Sequence, residues 1–131
     1  MKISRNFAAI ALLASLACSP TFAQDLACID KAQTNADAEK CGALLITPAE
    51  KKVDAEFKRI AGKYKGNEKM QETIRKTKQS WEDYRNNQCL FEGTAASGGQ
   101  TGKPLSLDAN KVFLRCAVRT LTEMQAALGK F

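Results

Sequence analysis

Four cysteines constrain this chain more than any other feature: Cys28, Cys41, Cys89 and Cys116. They follow a leader with the anatomy of a secretory signal peptide. Lys2 and Arg5 form a positive start, Phe7 to Ala17 is small and apolar apart from Ser15, and Thr21 and Ala23 sit at −3 and −1 of a small-residue cleavage site. The expectation is cleavage after Ala23, a mature domain over residues 24–131, and a periplasmic or secreted product. Cys18 offers a lipoprotein alternative, but Ser15 stands where a lipobox wants a large aliphatic residue. No apolar run after the leader is long enough to span a bilayer.

An even cysteine count in a small exported chain reads as two disulfides. Three connectivities are open, and proximity in sequence favours Cys28 with Cys41 and Cys89 with Cys116. A zinc site is disfavoured, since the spacing contains no Cys-x-x-Cys and the chain has no histidine. A domain of this size buries only about two-thirds of its unfolded surface, so covalent staples matter to it.

Hydrophobic spacing then sets the class. Gln24 to Gln33 has no sustained periodicity and reads as an arm or a short turn of helix, held through Cys28. Thr34-Asn35-Ala36-Asp37 has the form of a helix start, with the helix running to about Leu45. Thr47-Pro48-Ala49-Glu50 looks like a second start or a kink, because proline suits a first helical position. Val53, Phe57, Ile60, Ala61 and Tyr64 then share one face, opposite Lys51, Lys52, Glu56, Lys58, Arg59 and Lys63. Gly66 ends that helix and Asn67 can cap the next. The next is the longest, with a stripe of Met70, Ile74, Trp81 and Tyr84, then Cys89 and Phe91. Gly93 to Leu105 reads as an irregular, flexible loop, long for a compact domain. Ser106 or Asp108 caps a last helix whose inner face is Val112, Phe113, Cys116, Ala117, Leu121, Met124 and Leu128. No strand-like alternation persists. The expected fold is all-α: a small antiparallel bundle of three main helices plus a short N-terminal helix, with two disulfides.

The stretch Trp81-x-x-Tyr84-Arg85-x-x-x-Cys89, then Gly98-Gly99, then Cys116 followed by Leu121-Thr122 and Leu128, resembles the lysozyme inhibitor LprI-like N-terminal domain family. Cys28, Gln33-Thr34, Cys41, Asp54 and Tyr64 resemble its first half, so the likeness covers nearly all of residues 24–131. Two positions depart from the family pattern. Asn86 stands where an acid usually follows the arginine, and Gln125 stands near a usual arginine, with Arg119 one turn earlier. The resemblance implies a small exported helical protein that binds and inhibits lysozyme.

Enzyme chemistry is disfavoured on composition. There is no imidazole to act as a base, and oxidised cysteines leave no thiolate nucleophile. Glu82 and Asp83 are neighbours on a helix and do not face each other. No phosphate-binding loop or metal cluster is present, so no cofactor is expected. Nucleic acid is not an expected partner for an exported chain without a recognisable binding module.

The candidate interaction patch is Trp81, Tyr84, Arg85, Gly98, Gly99 and Lys103. Tryptophan, tyrosine and arginine are enriched at interface hot spots, yet the same spacing beside a disulfide equally suits core packing. The glycine loop with Lys103 could enter a cleft that carries a carboxylate pair, or it could be a plain connector. With 20 Lys+Arg against 14 Asp+Glu the chain is basic. The alternative to lysozyme inhibition is a non-inhibitory structural or accessory periplasmic protein that binds peptidoglycan, an anionic envelope polymer, which the basic balance suits, or a partner protein. A basic lysozyme would be repelled at long range, so its recognition requires local complementarity. The sequence does not specify an oligomeric state.

Overall fold

The computed structural model describes residues 22–99 and 104–131. Cys18, the apolar leader through Ala17, and Lys103 lie outside the described residues. Four helices follow in order: α1 Phe22–Lys31, α2 Asn35–Lys63, α3 Glu68–Ala96 and α4 Leu107–Leu128. Three are long, α1 is short, and no strand occurs among the described residues. The chain is the all-α bundle expected, with both disulfides in the favoured pairing. Cα–Cα distances are 5.7 Å for Cys28–Cys41 and 5.3 Å for Cys89–Cys116.

The starts of α2, α3 and α4 are chemically local. Thr34 Oγ1 accepts from the Asp37 amide at 3.1 Å, Asn67 Oδ1 from the Met70 amide at 3.1 Å, and Ser106 Oγ from the Ala109 amide at 3.3 Å. Each hydrogen bond satisfies an amide that the first helical turn leaves without an intrahelical partner. Gly66 turns the chain from α2 into α3 with φ +85°, a conformation open to glycine at little cost.

Two boundaries differ from expectation. The segment 34–45 is no separate helix, because α2 runs unbroken through Pro48. Proline inside a helix costs about 3 kcal/mol by removing one backbone hydrogen bond and crowding the preceding turn. Here Leu44 and Pro48 both face solvent, so water can serve the carbonyl that proline leaves unpaired. The inward face meanwhile stays in phase across the proline: Ala38, Gly42, Ile46, Ala49, Val53, Phe57 and Ile60 are buried or half-buried. A break at Pro48 would put those side chains out of register with α4.

The second difference is at Gly93. It does not open the loop, because α3 continues to Ala96. Gly93 is buried, and a Cβ there would lie 2.8 Å from the Ala109 carbonyl oxygen. A Cβ on Gly42 would meet the Leu114 side chain at 2.7 Å. The Gly93 contact is with backbone and sets how closely α3 approaches α4, whereas the Gly42 contact is with the movable end of Leu114.

Helix α4 is therefore the centre of the molecule. It packs along both α2 and α3, which touch each other far less, and α1 lies across α2 and α4. It runs antiparallel to α3 and parallel to α2. One apolar cluster, Ile29, Ala32, Ala38 and Leu114, sits under α1. Another, Val53, Phe57, Ile60, Leu121 and Leu128, fills the opposite end. Between them lie the two buried sulfurs of Cys89 and Cys116. Asn110 is buried but satisfied: its Nδ2 donates to Asn35 Oδ1 at 3.3 Å and Glu39 Oε1 at 3.4 Å, while Asn35 Nδ2 donates to the Leu105 carbonyl at 2.8 Å. That network fastens the end of the 97–106 loop to the start of α2.

Candidate functional site

The helix seams consume most of the chemistry that the sequence singled out. Trp81 is half-buried against the Val53–Leu121 cluster. The Arg85 guanidinium lies over its ring, 5.3 Å from the centroid. Arg85 Nη1 donates to Glu50 Oε1 at 3.0 Å, and Nε and Nη2 reach Asn86 Oδ1 at 3.4 and 3.3 Å. Only 14% of the Arg85 side chain is exposed. Stacking and charge pairing reinforce each other in this geometry, so Trp81 and Arg85 close the seam between α2 and α3. Glu50, which the sequence placed in the apparent helix start Thr47-Pro48-Ala49-Glu50, is freed for this pairing because α2 does not begin at Pro48.

Further along the same seam, Lys78 Nζ lies 2.8 Å from Asp54 and 3.5 Å from Glu82. The hydrogen bond to Asp54 raises the Lys78 pKa. Across α3 and α4, Arg119 Nη2 donates to Glu92 Oε1 at 2.6 Å, and Gln88 Nε2 donates to the same oxygen at 3.0 Å. Those two donors, Gln88 foremost, hold the Glu92 carboxyl below its ordinary value of 4.5. Arg85 thus pairs with an acid on α2 and Arg119 with one on α3, and neither is the residue that follows Arg85.

The outward face of α3 is what remains open. Tyr84 is 59% exposed, Leu90 43% and Phe91 68%. Tyr84 and Phe91 do not belong to the inner stripe in which the sequence reading placed them. Cys89 must face α4 to reach Cys116, and two residues on, Phe91 is about 200° further round the helix. Tyr84 and Phe91 are seven residues apart and project on nearly the same side, about 10 Å from each other. Gln79, Ser80, Asp83, Asn86 and Asn87 are exposed along the same stretch. Between Gln79 and Gly99 the only basic residue is Arg85, which is folded inward.

Gly98 and Gly99 follow at the helix end with φ +72° and +86°. Their amides donate to the Ala95 and Thr94 carbonyls at 3.1 and 3.0 Å. They terminate α3 and turn the chain, as left-handed glycines do after a last turn. The structure therefore separates the six candidate residues. Tyr84, Gly98 and Gly99 are exposed, Trp81 and Arg85 are engaged in the seam, and Lys103 lies outside the described residues. Leu90 and Phe91 were missed as candidates; counting helical angle from Cys89 would have found them.

No group of three potential metal ligands occurs among the described residues, and no helix among them is long and apolar enough to cross a membrane. The outward face of α3 presents exposed rings and amides, with Asp83, which accepts from Gln79 Nε2 at 3.2 Å, outside any ion pair.

No curated protein and no solved structure matches this chain. A family model described as lysozyme inhibitor LprI matches residues 28–128, from the first of the paired cysteines to the last buried leucine of α4. The chain belongs to the lysozyme inhibitor LprI family.

Proposed function

We propose that this chain is an exported binding protein, not an enzyme, that docks on lysozyme and occludes its cleft through the outward face of α3. The leader is removed after Ala23, and residues 24–131 work as one domain in the periplasm or outside the cell. The two disulfides and the family membership support that location. The observation that carries the docking surface is the exposure of Tyr84, Leu90 and Phe91 in a stretch without a free basic side chain. Exposed aromatic rings on a rigid element supply interface anchors at low entropic cost. A basic lysozyme is repelled by the lysine-rich remainder of the surface but not by this face, where Asp83 is the exposed charge. The turn at Gly98-Gly99 extends the contact toward the cleft.

The test is lysozyme turnover of cell-wall substrate with purified mature protein. Slowing at micromolar concentration is expected. Phe91→Asp should weaken inhibition at least about tenfold, since a central aromatic anchor is worth about 2 kcal/mol or more. Phe91 faces solvent, so the melting temperature should hold. Turnover that continues unslowed at micromolar protein refutes the proposal for the lysozyme used.

A further inference from the structure

Helix α2 sorts its charges by direction. All five of its acids are engaged: Asp37 in the Thr34 cap, Glu39 with Asn110, Glu50 with Arg85, Asp54 with Lys78, and Glu56 with Arg59. Arg59 and Lys63 reach the chain end, donating to the Leu128 and Phe131 carbonyls. Lys40, Lys51, Lys52 and Lys58 are left exposed, without a side-chain hydrogen bond or ion pair among the described residues. Lys65, in the turn that follows the helix, is likewise exposed and unpaired.

Apart from Lys52, which lies about 100° further round the helix than Lys51, they are not scattered. Separations of eleven and seven residues return to within about 20° of the same helical azimuth. They form one row on the face directly opposite Ala38, Gly42, Val53 and Ile60. At about 1.5 Å per residue the helical part of the row, Lys40 to Lys58, is about 27 Å long. Thr47, Ala55 and Gly62 near that line are small and exposed, Leu44 beside it is exposed and apolar, and the line carries no aromatic ring.

We propose that the outward face of α2 is a track for a linear polyanion, a flexible polymer carrying one negative charge per repeat. Regularly spaced ammonium groups on a straight rod match a chain of point charges, and binding gains from counterion release. A membrane surface fits less well. It would meet a broad face, including the acids of the α2–α3 seam, and Leu44 is the only exposed large apolar group near the row. This track lies on a different helix from the surface assigned to lysozyme and does not depend on that assignment.

Long-chain inorganic polyphosphate is the probe, titrated by calorimetry against the oxidised full domain at several salt concentrations. The triple variant K40Q/K51Q/K58Q is compared with K31Q/K69Q/K130Q, which has the same net charge and alters exposed lysines elsewhere. Wild type should bind, with affinity falling as salt rises. The first triple should lose about tenfold or more in affinity and flatten the salt slope by about two, since each contact contributes somewhat under one. The second should change affinity less than about threefold. Equal losses in the two triples, or no binding of polyphosphate at low salt, overturns the track. So does capture of wild type by anionic phospholipid vesicles when polyphosphate fails to bind.

Discussion

The two ends of the bundle are built on different physical terms. At the end that carries α1, the helices are held by covalent links and close backbone approach. Cys28–Cys41 joins α1 to α2, Cys89–Cys116 joins α3 to α4, Gly93 seats α3 against Ala109, and Asn110 ties in the loop. At the other end there is no cross-link. From Glu68 to Gln88, α3 contributes no fully buried side chain. It is held there by half-buried Ile74 and Trp81 and by ion pairs along α2. A groove of about 760 Å³, floored by Phe57, Ala61 and Ile74, opens between α2 and α3. One helix is thus rigidly anchored in its second half and lightly held in its first. The aromatic face proposed for docking straddles the anchored part, where a pre-ordered surface lowers the entropic cost of binding.

The comparison breaks most directly at the central disulfide. Removing it with Cys89→Ser and Cys116→Ser forfeits about 3–4 kcal/mol in the chain-entropy model. For a domain of this size that should lower the melting temperature by well over 10 °C. A melting curve unmoved by the double substitution, or by full reduction, would end the staple account. The other bridge sharpens the contrast. Cys28 is exposed, whereas Cys89 and Cys116 are 0% and 2% exposed, so mild reductant should open Cys28–Cys41 first, as access governs thiol exchange. Mass spectrometry after graded reduction gives the order.

The uncross-linked end depends on its apolar cluster. Leu121 is 1% exposed at the heart of it. Leu121→Ala should cost about 2–5 kcal/mol through lost burial and the cavity left behind. Urea denaturation measures this, and a loss under about 1 kcal/mol would mean that the cluster is not what holds this end. Gly93→Ala tests the close approach at the other end. Its methyl meets backbone rather than a mobile side chain, so a loss of about 1–3 kcal/mol is expected from overpacking.

The smallest effect concerns pH. The Glu92 carboxyl is held low in the folded state, so its contribution is fully present above the unfolded value. It is lost as pH falls through the folded value, in the acid range below about 4.5. The pair is partly exposed, which limits the effect to under about 1 kcal/mol. Glu92→Gln should flatten the acid limb of the stability curve, and an unchanged limb would assign the acid sensitivity to other carboxylates.

Much of this was legible in residues close in sequence. Thr34, Asn67 and Ser106 cap their helices because a capping bond spans three residues and needs no distant partner. The two disulfides and the all-α class were legible in the number and spacing of the cysteines and in the hydrophobic periodicity. What could not be read locally was decided by α4. Pro48 was a start signal on local rules, but packing seven inward residues against the rest of the bundle outweighs one lost backbone bond. Gly93 looked like a loop residue, yet its missing Cβ serves a helix contact. Tyr84 and Phe91 were assigned inward on apolarity alone, although a cysteine pair three-dimensionally fixed to α4 turns both outward.

The amino-acid order by itself therefore determined where helices begin, which residues prefer to be covered and which sulfurs are near enough to join. Only the tertiary structure decided that α2 runs through Pro48, where α3 stops, which rings face water, and that Arg85 belongs to a seam while α2 keeps its lysines on the outside. The reason is range. Caps and periodicity act over about one helical turn, whereas facing and charge pairing depend on a neighbour that the fold brings from dozens of residues away.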